Sequence, residues 1–469
     1  MNWQKFTKYS AEMIILLLIA VMLIAIPLIR NHNGGFIGRE SYFIARMAET
    51  TPDYDALSYS GRVSGYNIGT PYLLSLLPTE YWPFFSFGFA YLSVILFWLL
   101  LGRFGIENRK VSLLLLVLSP TLLFLTSTLN QLVVPLFLLL LSLLLLNFKN
   151  RLMKIIGIPF ALLIPLFDFV FAAISFAILI IFLLLGRKDR KYFCCAAIGI
   201  LLSTLSYFFF TYSRTGWPSM FNPENQFFGL NYALRAIVSD FGGYAGISLF
   251  ALILSFIGAI SIWQKKYSRL DIFFLVFFIL FLSFFRIEAI ILLSLLVAVF
   301  ASLGFVYLTK AHWENLTLKW LVLLIIVCGA LFSALAYSKE LVNGEPNQGT
   351  LFAMEFLSSK EDGVVFSDYS RGNWIAYSGK KNVLDQNFLF APHAKERFAD
   401  SRTLLYTRDY NEASKLFRKY EIKYIWMDDG LKAKLYSGKE EGLLFLLQYS
   451  SNITNIYNQD GVQIWMIEG

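Results

Sequence analysis

Charge is scarce in this sequence. Only 15% of its 469 residues are Asp, Glu, Lys or Arg, against 57% hydrophobic residues, which excludes an ordinary soluble globule and leaves a polytopic membrane protein. Cysteine is scarcer still, and Cys194, Cys195 and Cys328 all fall inside apolar runs. An adjacent pair suits neither a disulfide framework nor a metal knuckle, so these three read as lipid-facing or core residues. A nucleic-acid-type basic patch is also missing: residues 338–469 carry 16 basic and 18 acidic side chains, with His393 as their one histidine. After the apolar run from Met13 to Ile29 no small-x-small cleavage site appears, so that run is expected to be an uncleaved first span.

Hydrophobicity is what the chain has instead. At about 20 apolar residues per span, runs lie near 12–30, 82–101, 111–127, 130–147, 153–167, 169–186, 192–211, 243–263, 270–285, 287–309 and 318–337. That spacing predicts about eleven spans, with the short PYLLSLLP stretch (71–78) left re-entrant or interfacial. Pro120, Pro135, Pro159 and Pro165 predict kinks. The hydrophobic pattern stops near 337, which predicts a membrane domain over 1–337 and a globular domain over 338–469. In the latter, helix signals near 349–359, NWIAYSG and NEASKLFRKY alternate with strand signals GVVFSD, KNVLD and KYIWMD. A hairpin turning on Asp460-Gly461 ends the chain. This alternation predicts a small α/β layer with a mostly parallel sheet.

Every lysine of the membrane half falls in loops on one side of these spans. By the positive-inside rule that side is the cytoplasm, together with the N-terminus. The loops at 30–81 and 212–242, the hinges at Asn130, Asp168 and Arg286/Glu288, and the C-terminal domain are then extracytoplasmic. On that outer side the basic residues of the membrane half are Arg30, Arg39, Arg46, Arg62, Arg214, Arg235 and Arg286, with no lysine. Arginine's planar fork grips phosphate bidentately, so the pattern fits a phosphorylated ligand near the membrane. Exclusion of lysine from translocated loops accounts for it equally well.

The first outer loop is the densest in chemistry. Glu40 to Glu49 reads as a short amphipathic helix, with Tyr42, Phe43 and Met47 available to the membrane interface. Asp53 and Asp55 then follow Pro52, one residue apart, a spacing able to hold a divalent cation or supply a base, though also common in turns. Arg286, beside Glu288 at a hinge between spans, marks either a phosphate site or a simple ion pair. Asp168 at another hinge either serves the site or caps the next helix.

The order E-S-Y-F-I-A-R (40–46), then D-A-L-S-Y-S-G-R (55–62) and a Pro-led apolar stretch, resembles the first external loop of GT-C membrane glycosyltransferases. The likeness is to prokaryotic relatives of the oligosaccharyltransferase catalytic subunit. It implies a catalytic carboxylate at Glu40, with Asp53 and Asp55 as further acidic candidates and Arg46 supporting the loop. A polyprenyl-phosphate-linked sugar donor is implied, its phosphate held by Arg286 with Arg62, Arg46 and Arg214. Asp168, Glu288 and Asn130 are supporting residues, and a divalent cation, Mg or Mn, would fall to Glu40 and Asp168. The sequence departs from the family at two places: TSTLNQ with Asn130 stands where a second acidic motif is expected, and FSDYSRGNWIAYSGKKNVLDQN (366–387) replaces the WWDYG acceptor motif. The expected function is therefore sugar transfer in the plasma membrane to an outer glycan, lipid or protein acceptor. A transporter or flippase of lipid-linked sugars and a non-catalytic scaffold or sensor are the competing readings. No convincing internal repeat of the kind transporters show is found, and a scaffold leaves the acidic loop unexplained.

Overall fold

The computed structural model describes residues 35–50, 54–63, 67–217 (save 107 and 185–189), 245–265 and 270–468 (save 389, 439 and 440), with parts of 18–29 and 234–242. In chain order the helices are α1 Arg39–Thr50, α2 Gly69–Ser75, α3 Trp82–Arg103, α4 Arg109–Val117, α5 Pro120–Ser127, α6 Val133–Leu146, α7 Arg151–Leu163, α8 Phe169–Leu184, α9 Arg190–Thr215, α10 Leu249–Lys265, α11 Leu270–Ser283, α12 Ile287–Lys310 and α13 Leu316–Val342. Beyond these come α14 Gln348–Ser358, α15 Gly372–Tyr377, α16 Ala394–Tyr406, α17 Tyr410–Lys419, α18 Asp429–Leu435 and α19 Gly442–Tyr449. The strands are β1 Tyr54–Asp55, β2 Arg62–Val63, β3 Val364–Phe366, β4 Lys381–Asn382, β5 Ile422–Asp428, β6 Ile453–Gln459 and β7 Val462–Ile467. They pack as two compact units.

The first unit comprises Met1–His32, Leu77–Tyr207 and Gln226–Asn343 and is helical. Among the described residues, four helices are long and apolar enough to cross a membrane: Thr79–Arg103, α9, α12 and α13. The pair α4 and α5, bent by 62°, makes a fifth if it is one broken span. The expectation of about eleven spans is not confirmed: the described residues hold these full-length helices among several shorter apolar ones. Val133–Leu146, Phe169–Leu184, Leu249–Trp263 and Phe273–Ser283 are apolar helices of 10–17 residues, many too short at about 1.5 Å per residue for a core about 30 Å thick. Proline explains two of the breaks. Ser119 caps α5 through the Leu122 N–H while Pro120 occupies its first turn, and Pro165 sits in a short 3-10 turn after α7, positions where a ring without an N–H does no harm.

Two glycines set the closest helix approach in this unit. A Cβ on Gly258 of α10 would lie 1.9 Å from the Phe300 carbonyl oxygen, and one on Gly304 of α12 would lie 2.0 Å from the Leu254 carbonyl oxygen. The backbones of α10 and α12 meet with no room for side chains between them.

The second unit comprises Asn33–Leu76, Phe208–Asn225 and Gly344–Gly469. The first loop thus packs with the C-terminal residues. Its five-stranded sheet has the order β4-β3-β5-β7-β6. β3 pairs in parallel with β4 and β5, whereas β5–β7 and β7–β6 are antiparallel. The sheet is mixed rather than mostly parallel, because the terminal hairpin adds directly to β5. Two apolar clusters cover the sheet. One gathers Phe366, Ile425 and Met427 with Leu404, Phe417 and Leu443 of α16, α17 and α19. The other gathers Val365, Tyr424 and Trp426 with Leu357 of α14, Trp374 of α15 and Tyr42 of α1.

Candidate active-site residues

α1 begins at Arg39 and carries Glu40 in its first turn. Its buried face includes Tyr42, Ile44, Ala45 and Met47, and it packs on α15. Tyr42 meets Tyr377 edge-on at 4.9 Å and Phe36 at 5.7 Å. This corrects the expectation that Tyr42 and Met47 rest in the membrane interface: they are core residues of the second unit, while Phe43 is half-buried with the Arg46 and Arg62 guanidiniums 5.8 and 5.4 Å from its ring. A helix packed on a sheet domain buries its aromatics in protein before lipid is needed.

From the last turns of α1 the loop is built around one carboxylate. Asp55 accepts from Arg46 Nη1 at 2.5 Å and Nη2 at 2.8 Å, lies 3.6 Å from Arg62 Nε, and accepts from the Leu57 and Ser58 N–H groups. Burial works against its charge, but the two-pronged Arg46 bond and the Arg62 charge outweigh that and hold Asp55 far below the ordinary carboxylate range. Arg62 also donates to the Asn387 carbonyl at 2.8 Å. Tyr59, in a left-handed conformation, donates its N–H to Asn382 Oδ1 and its hydroxyl to the Asp385 carbonyl, both at 2.9 Å. The ribbon from Tyr54 to Val63 is thereby pinned to β4 and the residues after it. Arg46 and Asp55, expected as phosphate ligand and base, bond one another and Ser58, and Arg62, also expected at the phosphate, lies against Asp55 and donates to Asn387, while Arg46 Nε meets no hydrogen-bonding partner. Asp53 lies outside the described residues.

Sequence reasoning missed a second charged cluster. Arg371 donates through Nε and Nη2 to Asp428 at 2.7 and 2.8 Å and through Nη1 and Nη2 to Glu345, both at 3.2 Å. Arg39 bonds the same Glu345. The Trp374 ring lies against both guanidiniums, 5.0 Å from Arg371 and 5.6 Å from Arg39. Burial opposes the Asp428 charge and Arg371 overcomes it, holding this carboxyl low as well. The signal was present as Asp428 ending the strand KYIWMD, since the carboxyl ends of parallel strands are where polar groups gather. Its partners, 57 and 83 residues away, were not visible. Glu40 follows directly after Arg39 in the first turn of α1.

The remaining residues belong to the first unit, apart from Arg214, which belongs to the second. Arg286 is the exposed N-cap of α12, and Glu288, within its first turn, is 7% exposed with Oε2 meeting no hydrogen-bonding partner. Asp168 accepts from the Phe171 N–H at 2.6 Å and so caps α8. Asn130 accepts from the Leu132 and Val133 N–H groups while donating to Thr128, which makes it the cap of α6. Arg214 is exposed near the end of α9, its guanidinium 5.5 Å from the Phe210 ring. Glu224 and Arg235, in the second long loop, lie outside the described residues.

The sequence reading places a divalent cation at Glu40 and Asp168. Among the described residues no three His, Cys, Asp or Glu side chains converge on a point. Asp55 is held by guanidinium groups, and Asp168 commits one oxygen to a helix cap.

No family model matches the chain, and no curated protein matches it in sequence. Solved structures do match. The GT-C resemblance holds at the level of fold: AglB, the oligosaccharyltransferase of Archaeoglobus fulgidus, in complex with an inhibitory peptide and a dolichol-phosphate, superposes with a TM-score of 0.64 at 11% identity, covering 100% of this chain and 75% of that one. The same archaeal enzyme in a complex with Zn and sulfate gives 0.62 at 13% identity, over 97% of this chain and 73% of that one. The arabinofuranosyltransferase AftD from Mycobacteria gives 0.60 at 14% identity, over 97% of this chain and 40% of that one. Identities this low establish a shared fold.

Proposed function

We propose that this chain is a membrane glycosyltransferase that moves a sugar from a polyprenyl-phosphate-linked donor to an acceptor on the extracytoplasmic side. The observation that carries the reading is the fold shared over the whole chain with an enzyme seen holding dolichol-phosphate. A sugar bonded to phosphate already has its leaving group. What the protein supplies is a base for the acceptor hydroxyl and a positive partner for the departing phosphate.

Glu40 takes the first role. The acceptor oxygen attacks the anomeric carbon, its proton passes to the Glu40 carboxylate, and the carbon–oxygen bond to phosphate breaks with its electron pair leaving on the polyprenyl phosphate. Arg286 takes the second role: it is exposed, it stands at the N-terminus of a 24-residue helix, and both its charge and the helix dipole favour an anion. Arg214 is a second exposed candidate for the phosphate. Arg46, Arg62 and Asp55 are positioning residues that fix the ribbon following α1, while Asn130 and Asp168 fix the starts of α6 and α8. No step is routed through a metal ion. The acceptor class, whether glycan, lipid or protein, follows from the assay that tests the reading: purified full chain with labelled polyprenyl-phosphate sugars and each acceptor class. Label transfer to one class supports it, and intact donor with all of them ends it.

A further inference from the structure

An apolar pocket in the first unit takes no part in the proposed transfer. It has a volume of about 560 Å³ and is lined by nineteen side chains, all apolar, among them Phe97, Phe104, Phe182, Leu292, Phe300 and Leu303. These come from α3, α6, α8, α10, α11 and α12, and from Ile106 just past α3. Along α12 the lining runs from Leu292 to Leu303, about 17 Å at 1.5 Å per residue. On α3 it runs to the C-terminal end, at the lysine-bearing side of the bundle. The opposite end of α12 carries Arg286.

Size and lining specify the occupant. A mostly apolar wall gives water few partners, and an apolar cavity of about 150 Å³ holds benzene, roughly 25 Å³ per carbon. The chamber then has room for about 22 carbons. Its length matches one leaflet, about 15 Å or half of a 30 Å core. Both figures describe one fatty-acyl chain.

The rim supplies the second observation. Arg103 ends α3 and is exposed, its guanidinium 4.2 Å from the Phe148 ring. Arg109 lies against the Trp98 ring at 4.9 Å, with Nη1 3.0 Å from where a Cβ on Gly102 would stand. Two guanidiniums therefore flank the α3 terminus, beside Phe104 and Ile106 of the cavity wall. Lys110 follows, exposed. Basic residues where helices meet the headgroup layer attract anionic lipid.

We infer that this chamber binds one anionic phospholipid of the lysine-side leaflet, an acyl chain filling the cavity and the phosphate resting on Arg103 and Arg109. The site is separate from the proposed donor site and does not depend on it. A lipid held this way ties α3, α8, α11 and α12 together, where protein packing alone leaves a void.

The test uses the full chain in a neutral detergent, with phosphatidylglycerol and phosphatidylcholine added in turn and retention read by native mass spectrometry. The expected result is one retained phosphatidylglycerol and weaker retention of phosphatidylcholine. Arg103→Gln with Arg109→Gln should weaken phosphatidylglycerol about thirtyfold, roughly fivefold per guanidinium, and leave phosphatidylcholine unchanged. Leu296→Phe, which narrows the chamber, should weaken both. Equal retention of the two lipids, unmoved by the arginine changes, would overturn the inference. So would preferential retention of a polyprenyl phosphate, which would give the chamber to an isoprenoid tail. The arginine variants are surface changes and decide the question even if Leu296→Phe does not fold.

Discussion

The two units treat charge in opposite ways. In the second, ionisable side chains gather and satisfy one another: Asp55 with Arg46 and Arg62, and Arg39 with Glu345, Arg371 and Asp428. In the first, Glu288 is buried with an oxygen that meets no partner, and Arg286 stands exposed at the head of the same helix. Removing one partner from a buried pair leaves the other charge uncompensated, whereas a lone buried carboxylate is already a cost. Conspicuous charges in the first loop are therefore mostly architecture. In the first unit Asp168 likewise serves as a helix cap, and it is the head of α12 that carries an exposed Arg286 and a Glu288 oxygen with no hydrogen-bonding partner.

Four substitutions test this contrast, taken from the largest expected effect to the smallest. Glu40→Gln should lower sugar transfer about 10²–10⁴-fold, the usual worth of a positioned base, without moving Tm. Gly258→Leu drives a side chain into the Phe300 carbonyl, and overpacking where backbone cannot retreat should cost about 3 kcal/mol or more, read as loss of a folded monodisperse peak in detergent. Asp55→Ala should cost about 3–5 kcal/mol by stranding Arg46 in the interior, read by thermal unfolding. Glu288→Gln, by contrast, should leave Tm unchanged or raise it by a few degrees. If Glu288→Gln destabilises as much as Asp55→Ala, the distinction between the units fails.

The pH dependence follows the same division. Asp55 and Asp428 have folded-state values below their unfolded ones, near 3.9. Their stabilisation is present above that value and is lost as pH falls below about 4 towards the folded-state values. Thermal unfolding followed from about pH 6 downwards should show the drop beginning near pH 4, and Asp55→Asn should flatten part of it.

How much of this was legible in the sequence depends on how far apart the partners lie. Apolar runs, the proline breaks at 120 and 165, the terminal hairpin and the strands around Val365 and Ile425 follow from local pattern. The helix Ala394–Tyr406 was missed because AKERFADSRTLLY has little amphipathic contrast. That α1 belongs with the C-terminal sheet was hidden by distance, since Arg39 and Glu345 are 306 residues apart. Arg46 and Arg62 lie close to Asp55 in sequence, but the ribbon that turns them towards it is pinned by Asn382, Asp385 and Asn387, more than 320 residues on. An arginine reads as a phosphate ligand when its carboxylate is unseen, and Asp55 read as a base for want of its guanidiniums. Glu40 was legible as a candidate, and the ion-pair cluster that its neighbour Arg39 joins was not.

The most direct test of the central claim is a transfer assay on the full chain in nanodiscs, with a labelled polyprenyl-phosphate sugar and the acceptor class found above. Wild type is compared with Glu40→Gln, and the Tm of each is measured alongside. The account expects label on the acceptor with wild type and at least a hundredfold less with the variant at unchanged Tm. Transfer that survives Glu40→Gln undiminished would contradict it.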